Sequence, residues 1–426
     1  MTTLPPPMLA EPLHRSNGVS GGRRRQRGVA LLAMLTLLTL VGLYLFVGQL
    51  SAMQPRMVRE QEAAAAFSEA KTALIGDSIS RVPINKAGYL SLPDLGTRLV
   101  PGVGWVLAEG GESVTFPGDG KDLSVIGKFP WKTLDTALLR DLAGACLWYV
   151  VSGRFKNDGF LKTDTLNWDT AGQIDVIDAN GSLIATNLAA LVVAPGPALD
   201  GQSRVLADAA YSECGGNYDA RNYLDSYDSA DAIGGQVNYF AGSTNNRVAP
   251  NTSNMRFVMS TTDHYNDRFA FISVDDLFNP VMRRSDFAQA IDNLLDTPTF
   301  QTYLQSIVAA GNKGTFNIDC SAAPDPIFCA NWKEMLFLTQ ISPPSPITIN
   351  GATSPLPCGR VLIFAGRKSV GQSRSDALEK ADKRNYLEGL NVSSFAVPNA
   401  TATAFSGSLA GFSAASPATD LVRCLP

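Results

Sequence analysis

Histidine is nearly absent from this 426-residue chain, which holds two, His14 and His264. Serine and cysteine nucleophiles need a positioned base, most often histidine, so its scarcity argues against that chemistry. His264 lies in TTDHYNDRF near Asp263 and Asp267, but no G-x-S-x-G elbow or matching cysteine setting accompanies it. H-E-x-x-H and G-x-x-x-x-G-K-[ST] are missing, which removes zincin and P-loop readings. No C-x-x-C pair or Cys/His metal spacing occurs. Charge is sparse at 17% of residues, with 35 basic against 39 acidic side chains and a net charge of -4. Beyond residue 28 no basic cluster offers a nucleic-acid surface. The expectation is a protein without enzymatic activity, cofactor or nucleic-acid partner.

Cysteine is also missing from the first 145 residues, and all six follow an apolar segment: Cys146, Cys214, Cys320, Cys329, Cys358 and Cys424. An even count beyond such a segment fits an oxidising compartment and permits three disulfides. Cys320 and Cys329 bracket a short proline-containing loop and are the pair that could close locally. The other pairings stay open, as does the alternative of free buried thiols.

From Gly28 to Pro55 there is no charged residue, and VALLAMLTLLTLVGLYLFVGQL, residues 29–50, would rise about 33 Å as a helix against a hydrocarbon layer of about 30 Å. Arg15, Arg23, Arg24, Arg25 and Arg27 precede it against one acidic residue, Glu11. The positive-inside rule then keeps the N-terminus cytoplasmic and sends the rest across an inner membrane into the periplasm. The run is longer than a signal-peptide core and lacks a good small-x-small site, so an uncleaved span is predicted. Residues 57–76 continue in helix formers, with Ala63, Phe67, Ala70 and Leu74 on one face, Pro55 as a kink and Gly76 as the stop.

After residue 76 the helical period fades. Runs at 103–107, 147–151, 173–177, 182–194, 237–240, 256–259, 268–274 and 360–365 read as strands between Gly, Pro, Asn and Asp clusters. A helical patch carries Phe287, Ile291, Leu294 and Leu295, and another follows Pro298. The fold class predicted is α+β: a long N-terminal transmembrane helix, then a large strand-rich mixed head over 77–426. An internal echo pairs LVVAPGPALDGQSR (191–204) and NYLD (222–225) with LIFAGRKSVGQSR (362–374) and NYLE (386–389). It suggests two related units, around 191–240 and 360–396. Trp105, Trp131, Trp148, Tyr149 and Trp168 read as packing residues. The Ala-Pro-Gly-Pro loop at 194–197 reads as a rigid turn rather than a phosphate cradle, since two of its residues lack an N–H. Asp225, Asp228 and Asp231 read as a solvated turn, with calcium as the alternative.

The junction Arg23-Arg24-Arg25-Gln26-Arg27-Gly28-Val29 resembles the processing site of type IV prepilins and type II secretion pseudopilins. That resemblance implies cleavage by a prepilin peptidase between Gly28 and Val29, methylation of the new amine, and assembly of the helix with other pilin or pseudopilin subunits. Residues 1–28 would then be a cytoplasmic leader, 29–50 the membrane helix and 51–76 its periplasmic extension. Pilins commonly carry glutamate at the fifth mature position; here that position is Ala33, a departure that fits a tip or initiating minor subunit and equally an unprocessed anchor. GYLSLPDL (88–95), FPWKTL (129–134), LRDLAGACLWYVVSGRF (139–155), DTAGQIDVIDANG (169–181), NDRFAFISVDDLFNPV (266–281) and CGRVLIFAGR (358–367) look like a poorly characterised proteobacterial group of large-headed prepilin-like proteins. The alternatives are an unprocessed, single-pass periplasmic binding or scaffold protein and, behind it, a cryptic hydrolase.

Overall fold

The computed structural model describes residues 26–113, 123–157, 166–206, 213–225, 232–233, 236–241, 254–262, 264–307, 318–397 and 399–426, and their side chains except those of 26–30, 45–60, 98–99 and 232–241. The chain divides into two compact units, 1–61 and 62–426. Of the predicted basic leader, residues 1–28, residues 1–25 lie outside the described residues.

Helix α1 is recorded as Gln26–Ser80, with no break at Pro55. In the first unit the described side chains, residues 31–44 and Gln61, are all exposed. Thr36 and Thr39 return their hydroxyls to the carbonyls of Ala33 and Thr36, both at 2.9 Å, so neither leaves a polar group unbonded on an apolar surface. The predicted span 29–50 falls partly outside the described side chains; among the described residues no helix is long and apolar enough to cross a membrane.

In the second unit the last turns of α1 enter the core. Ala66, Ala70, Leu74 and Ser78 are buried at a spacing of four, which places them on one face. Ala70 and Leu74 of the predicted stripe lie at the centre of this face, with Phe67 packed beside them only partly buried. The helix also passes the expected stop at Gly76, around which there is open space, and runs to Ser80. What ends it is Pro83, whose ring disfavours the helical region for Val82. Arg284 donates to the carbonyls of Ile79 and, at 3.0 Å, Arg81, bringing a cation to the helix C-terminus.

The strands, in chain order, are β1 (Thr97–Val100), β2 (Gly104–Leu107), β3 (Leu123–Lys128), β4 (Trp148–Val151), β5 (Ile174–Ile177), β6 (Leu183–Leu188), β7 (Ala190–Ala194), β8 (Ala232–Ile233), β9 (Gln236–Ala241), β10 (Met255–Val258), β11 (Arg268–Ile272), β12 (Leu336–Ser345), β13 (Thr348–Ile349), β14 (Ala352–Thr353), β15 (Cys358–Phe364), β16 (Ala404–Phe405) and β17 (Leu421–Leu425). The helices after α1 are α2 (Val274–Val281), α3 (Ser285–Asp296), α4 (Pro298–Ser306), α5 (Pro326–Trp332), α6 (Ala377–Ala381) and α7 (Leu390–Ser394). The class is mixed α+β with several antiparallel sheets.

An antiparallel sheet ordered β11-β7-β4-β3-β9-β8 runs through the head. Its residues alternate between two cores. Val125, Tyr149, Val151, Ala190 and Val192 face the larger one, which also takes Leu74. Ile126, Trp148, Val150, Leu191 and Val193 face a second, shared with Ile174, Val176, Met255 and Phe257 of the sheet β10-β5-β6. Burial on both faces explains why β7 reads as the unbroken apolar run ALVVA.

The predicted strand 182–194 is two strands in different sheets. A register shift within the β5–β6 pair falls beside Asn187, which takes a φ of 54°, and the chain then enters β7. Asp175 holds that bend by accepting from Thr186 Oγ1 at 2.7 Å and Asn187 N at 3.0 Å. Likewise Val274, expected at a strand end, begins α2, whose capping box joins Ser273 and Asp276.

A third sheet, β12-β15-β17, borders the larger core. There Trp168 packs edge-on against Trp332 at 4.5 Å between ring centres, and Phe287 meets Trp332 at 5.1 Å and Phe412 at 5.3 Å. Trp148 and Tyr149 are buried as expected, whereas Trp105 is exposed.

If the end of α1 is part of this core, Leu74→Ala should destabilise the protein by about 2–5 kcal/mol, and Phe67→Ala by less. Urea denaturation of the full chain in detergent measures both. An unchanged midpoint for Leu74→Ala would show that α1 unfolds independently of the head.

Candidate functional site

Gly28 and Val29, the predicted processing residues, lie in the first turns of α1, with their side chains outside the described residues. Ala33 is exposed. Cys320 and Cys329 are joined, and the other bridges are Cys146–Cys214 and Cys358–Cys424, 68 and 66 residues apart. Of the residues singled out for chemistry, Asp225 and Asp267 meet each other, and Asp263 lies outside the described residues. His264 is exposed in a turn where its amide bonds Thr262 Oγ1 at 3.3 Å, while Asp267 is buried and accepts the Asp225 amide at 2.9 Å. Asp225 itself accepts the amides of Asn266 at 2.5 Å and Asp267 at 2.9 Å. Asp228 and Asp231 lie outside the described residues, and among the described residues no group of three or more acidic, His or Cys side chains could hold a metal ion.

A buried polar cluster lies elsewhere, beside the Cys146–Cys214 bridge. Lys128, the last residue of β3, is 1% exposed and donates its ammonium to Gly215 O at 2.8 Å. The same nitrogen lies 4.2 Å from the centre of the Tyr218 ring. Burial lowers the Lys128 pKa to about 8, against the pull of Glu109 and Asp94. Asp94 is raised to about 6 by burial, although Tyr218 Oη at 2.6 Å and the amides of Gly96 and Gly110 donate to it. Glu109 accepts the amides of Glu213 at 2.9 Å and Cys214 at 2.7 Å, fixing the loop that carries the bridge.

Next to this cluster the first copy of the internal echo folds around Arg204, and the second copy folds around Arg374 in the same way. Arg204 Nε donates to Asn222 O at 2.9 Å, and Arg374 Nε to Asn385 O at 2.5 Å. The amides of Ser203 and Ser373 donate to the side chains of the same asparagines, at 2.9 and 3.3 Å. Gln202 Oε1 and Gln372 Oε1 accept from Leu199 N at 3.0 Å and Ser369 N at 2.8 Å. Each guanidinium lies over a tyrosine, Tyr223 at 4.7 Å and Tyr386 at 4.2 Å. Asp219 and Asp382 cap the short helical turns that present those asparagines. The residue after each Asn-Tyr-Leu donates its amide to an aspartate preceding the third strand: Asp225 to Asp267 at 2.9 Å, Glu388 to Asp420 at 3.3 Å. Both units are built on three antiparallel neighbours, β4-β7-β11 and β12-β15-β17. The exact GQSR and NYL matches mark these contacts, whereas Lys128 and Glu109 leave no sequence signal.

Gly216, at a φ of 67°, is required here, since a Cβ would lie 2.0 Å from Tyr223 Oη. The Ala-Pro-Gly-Pro turn acts as an acceptor: the carbonyl of Gly196 binds Arg204 at 2.6 Å, and its amide donates to Asp141 at 2.8 Å.

Burial raises Asp420 to about 7 and Asp267 well above the usual carboxylate range, where Asp225 adds repulsion. The folded chain therefore holds protons that the unfolded chain releases. The associated stability is complete below about pH 4 and is lost as pH rises through about 6 to 7. Lys128 acts oppositely, but above about pH 8. The unfolding free energy, and with it the melting temperature, should fall between pH 5 and pH 7.5, the free energy by at most about 1.4 kcal/mol per pH unit for each such group. Asp420→Asn should flatten it. A level wild-type profile would show these carboxyls to be ionised in the fold.

No family model, curated protein or solved structure matches this chain.

Proposed function

We propose that the chain is a minor pilin or pseudopilin, a tip or initiating subunit of a type IV pilus or type II secretion filament. In this reading residues 29–50 reside in the inner membrane with the N-terminus cytoplasmic. A prepilin peptidase removes residues 1–28 and the new N-terminus is methylated, and the head stands in the periplasm until the helix joins other subunits. The observation that supports it best is α1 itself. Helix α1, Gln26–Ser80, begins with Gly28 and Val29 in its first turns and, at Ala66, Ala70 and Leu74, has a segment built into the head's core. A mere tether needs no such burial, whereas a subunit moved by its helix needs head and helix mechanically joined. Three disulfides fit an extracytoplasmic head. The function is mechanical, with helix packing replacing lipid contacts.

The test is intact mass and N-terminal sequencing of the protein isolated from host membranes. The expected chain begins at Val29 and is heavier by one methyl group; Gly28→Ala should leave it full length and abolish incorporation into filaments. A wild-type chain that retains residues 1–28 would overturn the filament reading and leave a single-pass anchored periplasmic protein.

A further inference from the structure

The two arginine units differ in what the guanidinium faces. Arg374 Nη1 donates to Asp169 Oδ2 at 2.7 Å, and both side chains are 1% exposed. The second unit thus shows its arginine saturated by an internal carboxylate. Arg204 has no such partner: among the described residues it donates to the carbonyls of Asn222, Gly196 and Pro195 and to Gln202, and no carboxylate pairs with it. It lines an open cavity of about 350 Å³ instead, together with Lys128, Tyr223 and the Cys146–Cys214 bridge.

Lys128 strengthens the asymmetry. An ammonium carries three donors, yet among the described residues its hydrogen bond is the one to Gly215 O. Its other contacts are the Tyr218 and Tyr223 rings, 4.2 and 5.8 Å from the nitrogen, which attract a cation without neutralising it; at the wall of a cavity, an anion would do so. The nearby acids, which include Asp225 and Asp267 acting on Arg204 from a distance, are bonded elsewhere: Asp267 takes the Asp225 amide and Asp225 those of Asn266 and Asp267. Glu109 is engaged by two backbone amides, Asp94 by two amides and Tyr218, and Asp141 by the amides of Ala143, Ala145 and Gly196.

We propose that this cavity binds a small carboxylate-bearing molecule, an organic acid or a sugar acid, with Arg204 and Lys128 taking its carboxylate as Arg374 takes Asp169. The disulfide and Ala198 supply an apolar wall for the rest of the ligand. The cavity has room for about the bulk of one sugar ring or a short dicarboxylate. This site is independent of whether the chain enters a filament.

The full chain in detergent micelles, with its disulfides intact, is titrated with sodium glutarate and sodium galacturonate at fixed ionic strength. Glutaramide and galactose are the uncharged controls, and binding is followed by melting temperature and by calorimetry. A saturable response to at least one of the two acids, absent with the controls, is expected; which acid responds distinguishes an open-chain ligand from a sugar acid. Arg204→Gln and Lys128→Met should each weaken binding tenfold or more. Because either variant could disturb the fold, Ala198→Trp is the independent check: Ala198 is exposed on the cavity rim, so the indole should block entry while the unliganded melting temperature is unchanged. Absence of saturation by both acids, an equal response to the neutral analogues, or undiminished binding in a folded Ala198→Trp would each overturn the proposal.

Discussion

Burying the guanidinium of Arg374 obliges the fold to supply an opposite charge, and much of the head is arranged around meeting that need. An isolated buried charge is far more costly than a paired one, and removing one partner of such a pair costs about 3–5 kcal/mol. The partner, Asp169, is 205 residues earlier in the chain. Its neighbour Trp168 packs against Trp332 and Phe287, so the charge pair and the aromatic cluster fix the same segment. Arg374 in turn ties Gly366, after β15, to Asn385. One electrostatic requirement thereby connects the third sheet, the aromatic core and the DTAGQ segment that leads into β5.

The same logic of closure governs the end of α1. A helix that finishes inside a protein leaves carbonyls without partners, and Arg284, just before α3, supplies donors to two of them. Lys71 reaches Asp276 of α2 at 3.0 Å on the partly exposed flank. Small residues at 66 and 70 let the helix approach closely, and Leu74 fills what remains. A pull on residues 62–80 is therefore borne by the core of the head, which is what a subunit moved by its helix requires.

Where the sequence was legible, one physical signal dominated. The run LWYVV and the alternating segments near 174, 255 and 268 are strands because apolar side chains must leave water on one or both faces. The runs missed carry conflicting signals. β12 contains Pro343 and Pro344, which argue against a strand, yet it lies at the edge of the sheet β12-β15-β17, where missing donors cost little. β3 ends in Gly127 and Lys128, residues that disfavour a strand in sequence; a buried lysine follows from tertiary surroundings that no local pattern contains. Gly76 was misread as a stop because glycine tolerates helix as well as it ends one, and the decisive restraint was Pro83 seven positions later.

The internal echo was legible for a different reason. Gln, Ser and Arg of GQSR and Asn and Tyr of NYL are the side chains or amides that hold each loop, so they cannot vary without loss of that loop's geometry. The arginine's remaining face is under no such restraint. In the second unit it is closed by Asp169 and in the first it opens toward Lys128, and the matching residues alone do not distinguish the two states. A scaffold that holds a guanidinium with backbone carbonyls and an aromatic ring is complete before any carboxylate arrives. The same scaffold can therefore serve as a structural clamp where the protein supplies the acid, and as a receptor where it does not.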